Sequence, residues 1–325
     1  MNAPRILVTG AAGYLGSQLV ASLASHREPA LRPAVLVAAD VREVPAERRL
    51  PGVVYASADI RSESMATLLR EHAIDDVVHL AAIVTPAPDM DRAFLHSVEV
   101  EGTRKLLEAC VACGVRRITV TSSGAAYGYY PDNPPWIDED RPLRGNPEFA
   151  YSDHKRQVEE MLADYRTRYP QLGQLVLRVC TILGERTANQ ITALFERKRL
   201  IAVKGPPSPF VFIWDQDVVG AIEHGIATGA TGIYNVAGDG AMSVHEIAKI
   251  LGKPVLELPA WLLQTVFYVL RGLRLSPYGP EQVNFLRYRP VLANRRLKER
   301  FGYVPKLSSA QVFELFRKAH GLGPG

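Results

Sequence analysis

A glycine-rich turn near the start of the chain constrains the fold more than any other feature. The apolar run of residues 5–9 predicts a buried strand, and Gly10, Gly13 and Gly16 follow it before apolar residues resume at helical spacing. Between a strand and a helix, such glycines permit a tight turn, a close approach of the backbone to a pyrophosphate, and close packing of helix on strand. The pattern predicts a dinucleotide site at the N-terminus of the first helix, where N–H groups favour negative charge.

Asp40 ends the second apolar run, residues 35–40, at about the spacing from the turn that is expected for an acid binding the adenosine ribose. A carboxylate there accepts hydrogen bonds from both ribose hydroxyls and repels a 2′-phosphate, which favours NAD over NADP. Arg42 works against this preference, because a guanidinium could pair with that phosphate. A simple turn residue at a strand end is the structural alternative for Asp40.

Strand-like and helix-like segments continue to alternate up to residue 178. This order predicts an α/β fold with a doubly wound parallel sheet, in which ligands bind at the carboxyl ends of the strands. With 325 residues, the chain exceeds the usual size of a single core. We expect a first domain over residues 1–178, to which residues 210–227 return, and a smaller α/β substrate domain over residues 179–325.

A tyrosine and a lysine one helical turn apart are the strongest catalytic candidates. Tyr151 and Lys155 lie on one face of a predicted helix. A phenol is a weak base at neutral pH because its ordinary pKa is about 10, and a nearby ammonium favours the phenolate. Tyr151 could therefore take a proton from a substrate hydroxyl or return one to a ketone. Ser123 ends a strand-like run that would bring its hydroxyl to the same place, although Tyr-x-x-x-Lys also occurs by chance in many helices. We interpret His79, in another strand-like run, as a packed strand histidine.

The composition argues against several other classes of protein. The net charge of +4 is modest and the arginines are scattered, which argues against nucleic-acid binding. Three cysteines are too few for a disulfide framework or a four-thiolate zinc site, so we expect no metal. The longest apolar run, residues 261–270, is shorter than the roughly 20 residues of a spanning helix. A strand-like run that begins at Arg5 leaves no room for a signal peptide, and we expect a soluble cytoplasmic protein.

Together these features resemble the extended short-chain dehydrogenase/reductase family, and within it the NAD-dependent epimerase/dehydratase group. The resemblance covers nearly the whole chain and rests on the set of matching segments rather than on any one of them. Those segments are residues 9–16, Asp40, 59–60, 79–82, 102–103, 122–123, 127–128, Tyr151 with Lys155, 177–178, 217–218, 232–236 and 301–305.

The resemblance implies a Rossmann cofactor domain and a smaller C-terminal substrate domain. It implies that Tyr151 is the acid/base, that Ser123 polarises the substrate oxygen, and that Lys155 holds the nicotinamide ribose and favours the phenolate. Further cofactor contacts implied by the resemblance are Tyr14, Leu15, Asp59, Ile60, Leu80, Ala81, Ala82, Thr121 and Arg178.

A homodimer is also implied, formed through the two long helices that follow the fourth and fifth strands. We predict these helices over residues 91–113 and 149–169. They carry apolar residues beyond one face, among them Leu106, Leu107, Val111, Val158 and Met161.

Two departures from the family pattern bear on the active site. Dehydratase members carry an acidic pair shortly before a Tyr-Gly, where this chain has Gly124 and Ala125, so the dehydration of a sugar is not expected. An Asn-Val pair is usual where this chain has Glu99 and Val100, which puts the contact made by that asparagine in question.

The expected substrate is a small molecule. Nucleotide-sugar members place an arginine, which pairs with the diphosphate, where this chain has Phe210, whereas a second family arginine is kept as Arg287. The apolar segment 258–270 could be a core helix, could line an apolar substrate pocket, or could rest on a membrane surface with Arg271 and Arg274 at its edge. The candidate substrate contacts are Ser123, Gly124, Tyr127, Asn189, Phe210 and Arg287.

We therefore expect an NAD-dependent oxidoreductase that transfers a hydride between nicotinamide and a secondary alcohol or ketone, without a diphosphate handle on the substrate. An NAD-dependent nucleotide-sugar epimerase is the alternative. A non-catalytic NAD-binding sensor is a third hypothesis, which is disfavoured because Ser123, Tyr151 and Lys155 are all present.

Overall fold

The computed structural model describes residues 3–26, 28, 31–87, 89–205, 207–273 and 279–323. The chain divides into two compact units: the first holds residues 1–123, 150–178 and 218–234, and the second holds residues 124–149, 179–217 and 235–325. One division follows residue 178, as the sequence predicts. Residues 124–149, which we assigned to the first domain, belong to the second unit, and the segment that returns to the first unit is 218–234 rather than 210–227.

The strands and helices have the following bounds. The strands are β1 Arg5–Thr9, β2 Val35–Asp40, β3 Val53–Ser57, β4 Asp76–His79, β5 Arg117–Ser123, β6 Gly173–Val179, β7 Thr181–Leu183, β8 Leu200–Val203, β9 Phe212–Trp214, β10 Gly232–Val236 and β11 Val255–Leu258. The helices are α1 Tyr14–Ser25, α2 Ser64–Glu71, α3 Arg92–His96, α4 Thr103–Ala112, α5 Ala150–Arg168, α6 Thr192–Glu196, α7 Asp215–Thr228, α8 Val244–Leu251, α9 Ala260–Gly272, α10 Val283–Arg287 and α11 Ser309–Ala319. A π-helical segment, Ser97–Gly102, joins α3 to α4.

The first unit is built on a seven-stranded parallel sheet with the strand order β10-β6-β5-β4-β1-β2-β3. Strand β1 pairs in parallel with β2 and β4, and Thr9 is aligned with Ala39 on one side and His79 on the other. The strand order reverses between β1 and β4, and such a switch point opens a crevice at the carboxyl ends of the strands. The predicted doubly wound α/β fold is thereby confirmed.

A buried ion pair attaches the returning segment to the first unit. Arg117, at the start of β5, binds Asp76 at the start of β4 and also donates to the carbonyls of Gly225 and Ile226 near the end of α7. These carbonyls are among the last of the helix, where a cation is favoured by the dipole. The contact explains why this part of α7 groups with the sheet.

The helices predicted to form a dimer interface bury most of their apolar residues within the first unit. Leu106, Leu107 and Val158 lie in its core, and Val111 and Met161 pack against that core. These five apolar residues therefore pack α4 and α5 around the sheet, and they do not form an exposed apolar surface on either helix.

The second unit has an aromatic core and two small parallel sheets, β8 with β11 and β7 with β9. Five phenylalanines pack edge to face or stacked in this core: Phe195, Phe210, Phe212, Phe313 and Phe316. Capping boxes begin α8 at Ser243 and α11 at Ser308. The Asp217 carboxylate accepts hydrogen bonds from the Tyr303 hydroxyl and the Lys306 N–H, both at 2.9 Å, which joins two of the matching segments.

The apolar segment 258–270 forms a surface helix. Within α9, whose residues are all described, Leu263 alone is buried, while Trp261 and Tyr268 are 66% and 71% exposed. Arg271 pairs with Glu281, and Arg274 lies outside the described residues. This exposure does not fit the core-helix interpretation of the segment. Over the described parts of the chain, no helix has both the length and the apolar character needed to cross a membrane.

Candidate active site

Two glycine positions at the turn after β1 have no room for a side chain. Gly10 adopts φ +69°, and a Cβ there would lie 2.6 Å from the Ala81 nitrogen and the Leu80 carbonyl carbon. A Cβ on Gly16 would overlap the carbonyl oxygen of Gly10. The predicted turn is therefore tight against the end of β4, and Leu80, Ala81 and Ala82 border it as half-buried residues.

The N-terminus of α1 presents a positive dipole end at this turn. In the described structure, no side chain caps the helix at Gly13 and no acidic residue lies in its first turn. Tyr14 is partly exposed and Leu15 is half-buried. Because an acid or a side-chain cap would compete with a bound anion, this helix start fits the pyrophosphate of a dinucleotide.

Asp40 lies at the carboxyl end of β2, beside the turn, as predicted. Its carboxylate accepts hydrogen bonds from the Ala12 N–H at 3.0 Å and from the Arg42 N–H at 2.9 Å. The Arg42 side chain also donates to Asp40 Oδ1 at 3.2 Å and remains 65% exposed. The acid and the cation that favour different cofactors are thus in direct contact.

Asp59 and Ile60 follow β3 and have different surroundings. Asp59 accepts hydrogen bonds from the Arg61 backbone and guanidinium, and the hydrogen bond from that side chain lowers the pKa of Asp59 below its ordinary value. Ile60 is buried and packs on Gly102, where a Cβ would come within 2.7 Å of its Cδ1. Their predicted contacts with the cofactor stay predictions.

His79 is a neutral residue of the first core. Thr103 Oγ1 donates to the Glu99 carbonyl at 2.6 Å, so it accepts from His79 Nε2 at 3.0 Å, and His79 Nδ1 accepts from Thr9 Oγ1 at 2.7 Å. Burial, and secondly the charge of Lys155, lower the pKa of His79 to about 3. These contacts agree with the interpretation of His79 as a packed strand histidine.

Lys155 lies buried on α5, close to Tyr151 and to a carboxylate. Its Nζ lies 5.6 Å from the centroid of the Tyr151 ring and 3.3 Å from Glu99 Oε2. Burial would lower the pKa of Lys155, but Glu99 and then Tyr151 raise it, and the pKa lies above its ordinary value. The structure therefore brings Tyr151 and Lys155 together as predicted and adds Glu99 as the counter-ion of the lysine.

The last residues of β5 include Ser122, which binds a buried ion pair, and the candidate residue Ser123. The Ser122 hydroxyl donates to Glu159 Oε1 at 2.5 Å, and Glu159 also binds Arg178 through two nitrogens. Arg178 was predicted to contact the cofactor; its guanidinium is instead committed to a buried ion pair that attaches α5 to β6. Thr121 and Ser123 are among the last three residues of β5, the strand next to β4. They therefore lie at the carboxyl edge of the sheet.

Three of the candidate substrate contacts, Gly124, Tyr127 and Asn189, lie in the second unit. Gly124 is buried, and a Cβ there would lie 3.1–3.3 Å from the Leu292 side chain. Tyr127 is fully buried, and its hydroxyl donates to Asn235 Oδ1 at 2.9 Å. The Asn189 side chain accepts from the backbone N–H groups of Ile191 and Thr192 at the start of α6. The prediction that Tyr127 contacts substrate does not fit this complete burial, because the ring has no exposed face.

An arginine that the sequence analysis overlooked stands over Phe210. The Arg289 guanidinium lies 3.9 Å from the centroid of the buried Phe210 ring, and its Nη1 donates to the Ser208 carbonyl at 2.8 Å. Burial lowers the pKa of Arg289 to about 10. Arg287 stacks on Tyr288 at 4.7 Å, and its buried Nε has no hydrogen-bond partner within the described part of the chain. Neither arginine forms an ion pair with a carboxylate of the described residues.

The sequence analysis did not propose Glu99 or Arg289 as site residues, although the sequence around each gave some indication. Glu99 was identified only as a departure from Asn, and its acidic side chain was not considered as a counter-ion for Lys155. Arg289 lies two residues after Arg287 and could have been weighed as a replacement for the arginine lost at Phe210. Among the described residues, no group of His, Cys, Asp and Glu side chains could hold a metal ion.

Comparisons with known proteins identify the family of this chain. The model of the NAD dependent epimerase/dehydratase family matches residues 6–237. An uncharacterized protein of Mycobacterium tuberculosis is 25% identical over 320 residues, which cover 98% of this chain and 85% of that protein. A 3-diazoavenalumate denitrifying reductase of a Streptomyces species is 30% identical over 266 residues, which cover 77% of this chain and 82% of the reductase.

A solved structure, MoeE5 in complex with UDP-glucuronic acid and NAD, has the same fold. It aligns with a TM-score of 0.71 at 22% identity, and the alignment covers 98% of this chain and 99% of that one. The matched region of the family model spans the glycine turn, Asp40, Ser123, Tyr151 and Lys155. On the family model and the full-length relatives, the chain belongs to the NAD-dependent epimerase/dehydratase family of enzymes.

Proposed function

We propose that this protein is an NAD-dependent oxidoreductase that transfers a hydride between nicotinamide and a secondary alcohol or ketone, with Tyr151 as the acid/base. The observation that carries the proposal is the buried ammonium of Lys155, 5.6 Å from the Tyr151 ring centroid. Both residues lie in the unit that also holds the glycine turn and Asp40. The family membership supports the same class of chemistry and the same cofactor.

The proposal assigns a separate task to each candidate site residue of the first unit. The start of α1 binds the pyrophosphate, and Asp40 binds the adenosine ribose. When bound, NAD supplies the hydride acceptor. Tyr151 takes the hydroxyl proton of the alcohol in oxidation and returns it in reduction, and the Lys155 charge favours the phenolate. The Ser123 hydroxyl polarises the substrate oxygen.

The test of this function begins with binding. Thermal-shift measurements with NAD and a panel of secondary alcohols, sterols and nucleotide sugars identify compounds that raise the melting point by mass action. Compounds that do so are then incubated with NAD while nicotinamide absorbance is followed. We expect net formation of NADH with a compound of the alcohol class. A protein that binds NAD but shows no redox change with any binder would favour the sensor hypothesis.

A nucleotide-sugar epimerase is a second candidate function, favoured by the two arginines of the second unit. Arg287 and Arg289 have no carboxylate partner among the described residues, and a diphosphate suits such forked, permanently charged side chains. Arg289 places a cation beside Phe210, the position where nucleotide-sugar members carry an arginine. The loss of that arginine from the sequence is therefore weaker evidence against a diphosphate than the sequence alone indicates.

Calorimetry with UDP, GDP and dTDP sugars separates the two functions. Micromolar binding that Arg287→Ala or Arg289→Ala weakens at least tenfold, about 1.4 kcal/mol, would establish the epimerase and contradict the preferred substrate class. Arg116→Ala, which removes an exposed arginine of the first unit that pairs with Asp75, is the matched control and should leave any binding unchanged. The dehydratase activity of other members remains disfavoured, because Gly124 and Ala125 occupy the positions of the acidic pair.

We also propose a cytoplasmic homodimer. Three free cysteines support a reducing compartment. The helices α3, α4 and α5 lie together in the first unit, and Phe94 on α3 is 39% exposed. The family resemblance adds the expectation that these helices form the interface. Light scattering at micromolar concentration tests the assembly, and a monomer there would overturn it.

A further inference from the structure

Glu99 is a buried acid whose two carboxylate oxygens have different partners. Oε2 lies 3.3 Å from Lys155 Nζ, and Oε1 accepts a hydrogen bond from the Ile83 N–H at 2.5 Å. The side chains of Glu99 and Lys155 are 4% and 8% exposed. The carboxylate therefore connects the lysine of α5 to the loop that follows β4, with almost no solvent to screen the pair.

The other ionisable groups near Lys155 do not replace this charge. From α5, Tyr151 faces the ammonium through its ring, and Glu159 also raises the pKa of Lys155, but less than Glu99 does. The Glu159 carboxylate binds Arg178 and Ser122. From β4, His79 is neutral, because burial and then the charge of Lys155 lower its pKa to about 3. His154, next to Lys155, is itself disfavoured as a cation by burial and then by His96, although the charge of Glu99 acts in the opposite direction. Glu99 is the acid in direct contact with the lysine.

We propose that Glu99 is a positioning residue that keeps Lys155 protonated and fixed beside Tyr151. The proposal rests on the proposed function of Tyr151, because only that function gives the charge on Lys155 a purpose. The resemblance places an asparagine at this position, and an amide could not supply the charge. A buried ammonium without a counter-ion loses its proton more readily, since burial disfavours the charged form. Without Glu99, Lys155 would become neutral at a lower pH and would no longer favour the phenolate.

The variant Glu99→Gln isolates the charge from the shape. Glutamine has the same length, and its carbonyl oxygen can still accept the hydrogen bond from the Ile83 N–H, so the loop after β4 keeps its contact. The matched control is Glu101→Gln, which removes an acid of the same π-helical segment that pairs with Arg104 at the surface. Glu99→Asp keeps the charge on a shorter side chain and serves as the conservative rescue.

Titration of Lys155 by NMR, on protein with ¹³C-labelled lysine side chains, measures the charge without any enzyme activity. The Lys155 signal is assigned as the one that Lys155→Arg removes. We expect its titration midpoint to fall by at least about one pH unit, a tenfold change in proton affinity, in Glu99→Gln. Glu101→Gln should keep the wild-type midpoint. An unchanged midpoint in Glu99→Gln would overturn the proposal.

Kinetic measurements separate two possible failures: that Glu99 does not keep Lys155 charged, and that Tyr151 is not the acid/base. In the pH profile of kcat, Glu99→Gln should lose activity on the alkaline side at a lower pH than wild type, and Glu99→Asp should restore most of that range. If Tyr151→Phe keeps wild-type turnover, the proposed function fails, while the NMR titration still decides whether Glu99 holds the charge of Lys155. If Glu99→Gln does not fold, the wild-type midpoint decides: a midpoint above the ordinary lysine value of about 10.4 supports the proposal, and one below that value contradicts it, since burial alone would lower it.

Discussion

His79 and Lys155 are two buried bases of the same unit, and their partners decide their opposite charge states. His79 is enclosed by two threonine hydroxyls, and burial lowers its pKa to about 3. Lys155 is equally enclosed, yet the carboxylate of Glu99 raises its pKa against the effect of burial. Burial alone therefore does not determine the charge of a residue near this active site, because the nearest hydrogen-bonding group can reverse its effect.

The low pKa of His79 predicts a loss of stability in acid. Between the ordinary pKa of 6.5 and about 3, the unfolded chain binds a proton that the folded protein does not. Stability should then fall as the pH falls through this window, by about 1.4 kcal/mol per pH unit from this residue. His79→Gln can donate to Thr103 and accept from Thr9 without titrating, so its stability should decline less steeply. Denaturant unfolding at a series of pH values checks this, and equal slopes in the two proteins would contradict it.

Asp40 and Arg42, which are in direct contact, lead to a prediction about the choice between NAD and NADP. We expect NAD to bind more tightly than NADP, because the Asp40 carboxylate repels the 2′-phosphate. Asp40→Ala should shift the ratio of dissociation constants toward NADP by roughly tenfold, about 1.4 kcal/mol. Arg42→Ala is the complementary variant and should shift the ratio toward NAD. Calorimetry with both dinucleotides measures the ratio, and tighter binding of NADP by wild type would mean that Arg42 decides the choice.

At the scale of elements, the strand–turn–helix unit of β1 and α1 leaves the least freedom for substitution. Gly16→Ala should destabilise the fold by about 1–3 kcal/mol through overpacking and should weaken NAD binding, because its Cβ meets the Gly10 carbonyl. Gly272→Ala is the control: Gly272 ends the surface helix α9, and apart from its chain neighbours and helix backbone no atom of the described residues lies within 4 Å of its Cβ position. Thermal unfolding and NAD calorimetry compare the two, and similar behaviour of both variants would show that the turn tolerates a side chain.

Local patterns were sufficient to predict the elements around the cofactor. The apolar runs of residues 5–9 and 35–40 are the observed β1 and β2, because a strand buried on both faces has a continuous apolar sequence. Helical spacing placed Tyr151 and Lys155 on one face of α5, where they are found. In each case the information lies within one element and needs no distant contact.

Contacts between distant segments could not be predicted in the same way. Phe210 and Arg289 are 79 positions apart in the chain, so the cation over the ring has no local signal. Residues 124–149 follow β5 directly, but contacts such as the Tyr127 hydroxyl with Asn235 place them in the second unit. The ion pair of Arg178 with Glu159 has no local signal either, since the two residues lie on different elements.

At the scale of the whole molecule, the first unit determines the class of chemistry and the second unit is where substrate choice is expected to differ. The residues that define the family are concentrated in the first unit, and the family model ends at residue 237. The second unit contains Arg287, Arg289 and the exposed helix α9. Substrate class therefore depends on features that family membership does not determine.

The measurement that tests the central claim most directly compares hydride transfer in wild type and Tyr151→Phe. Nicotinamide absorbance is followed in a single turnover with NAD and a substrate that wild type oxidises. Removal of the phenol hydroxyl keeps the ring but deletes the proton acceptor, so we predict a rate at least about a hundredfold lower. The dissociation constant for NAD should change little. Turnover of Tyr151→Phe at the wild-type rate would contradict the account and remove Tyr151 from the mechanism.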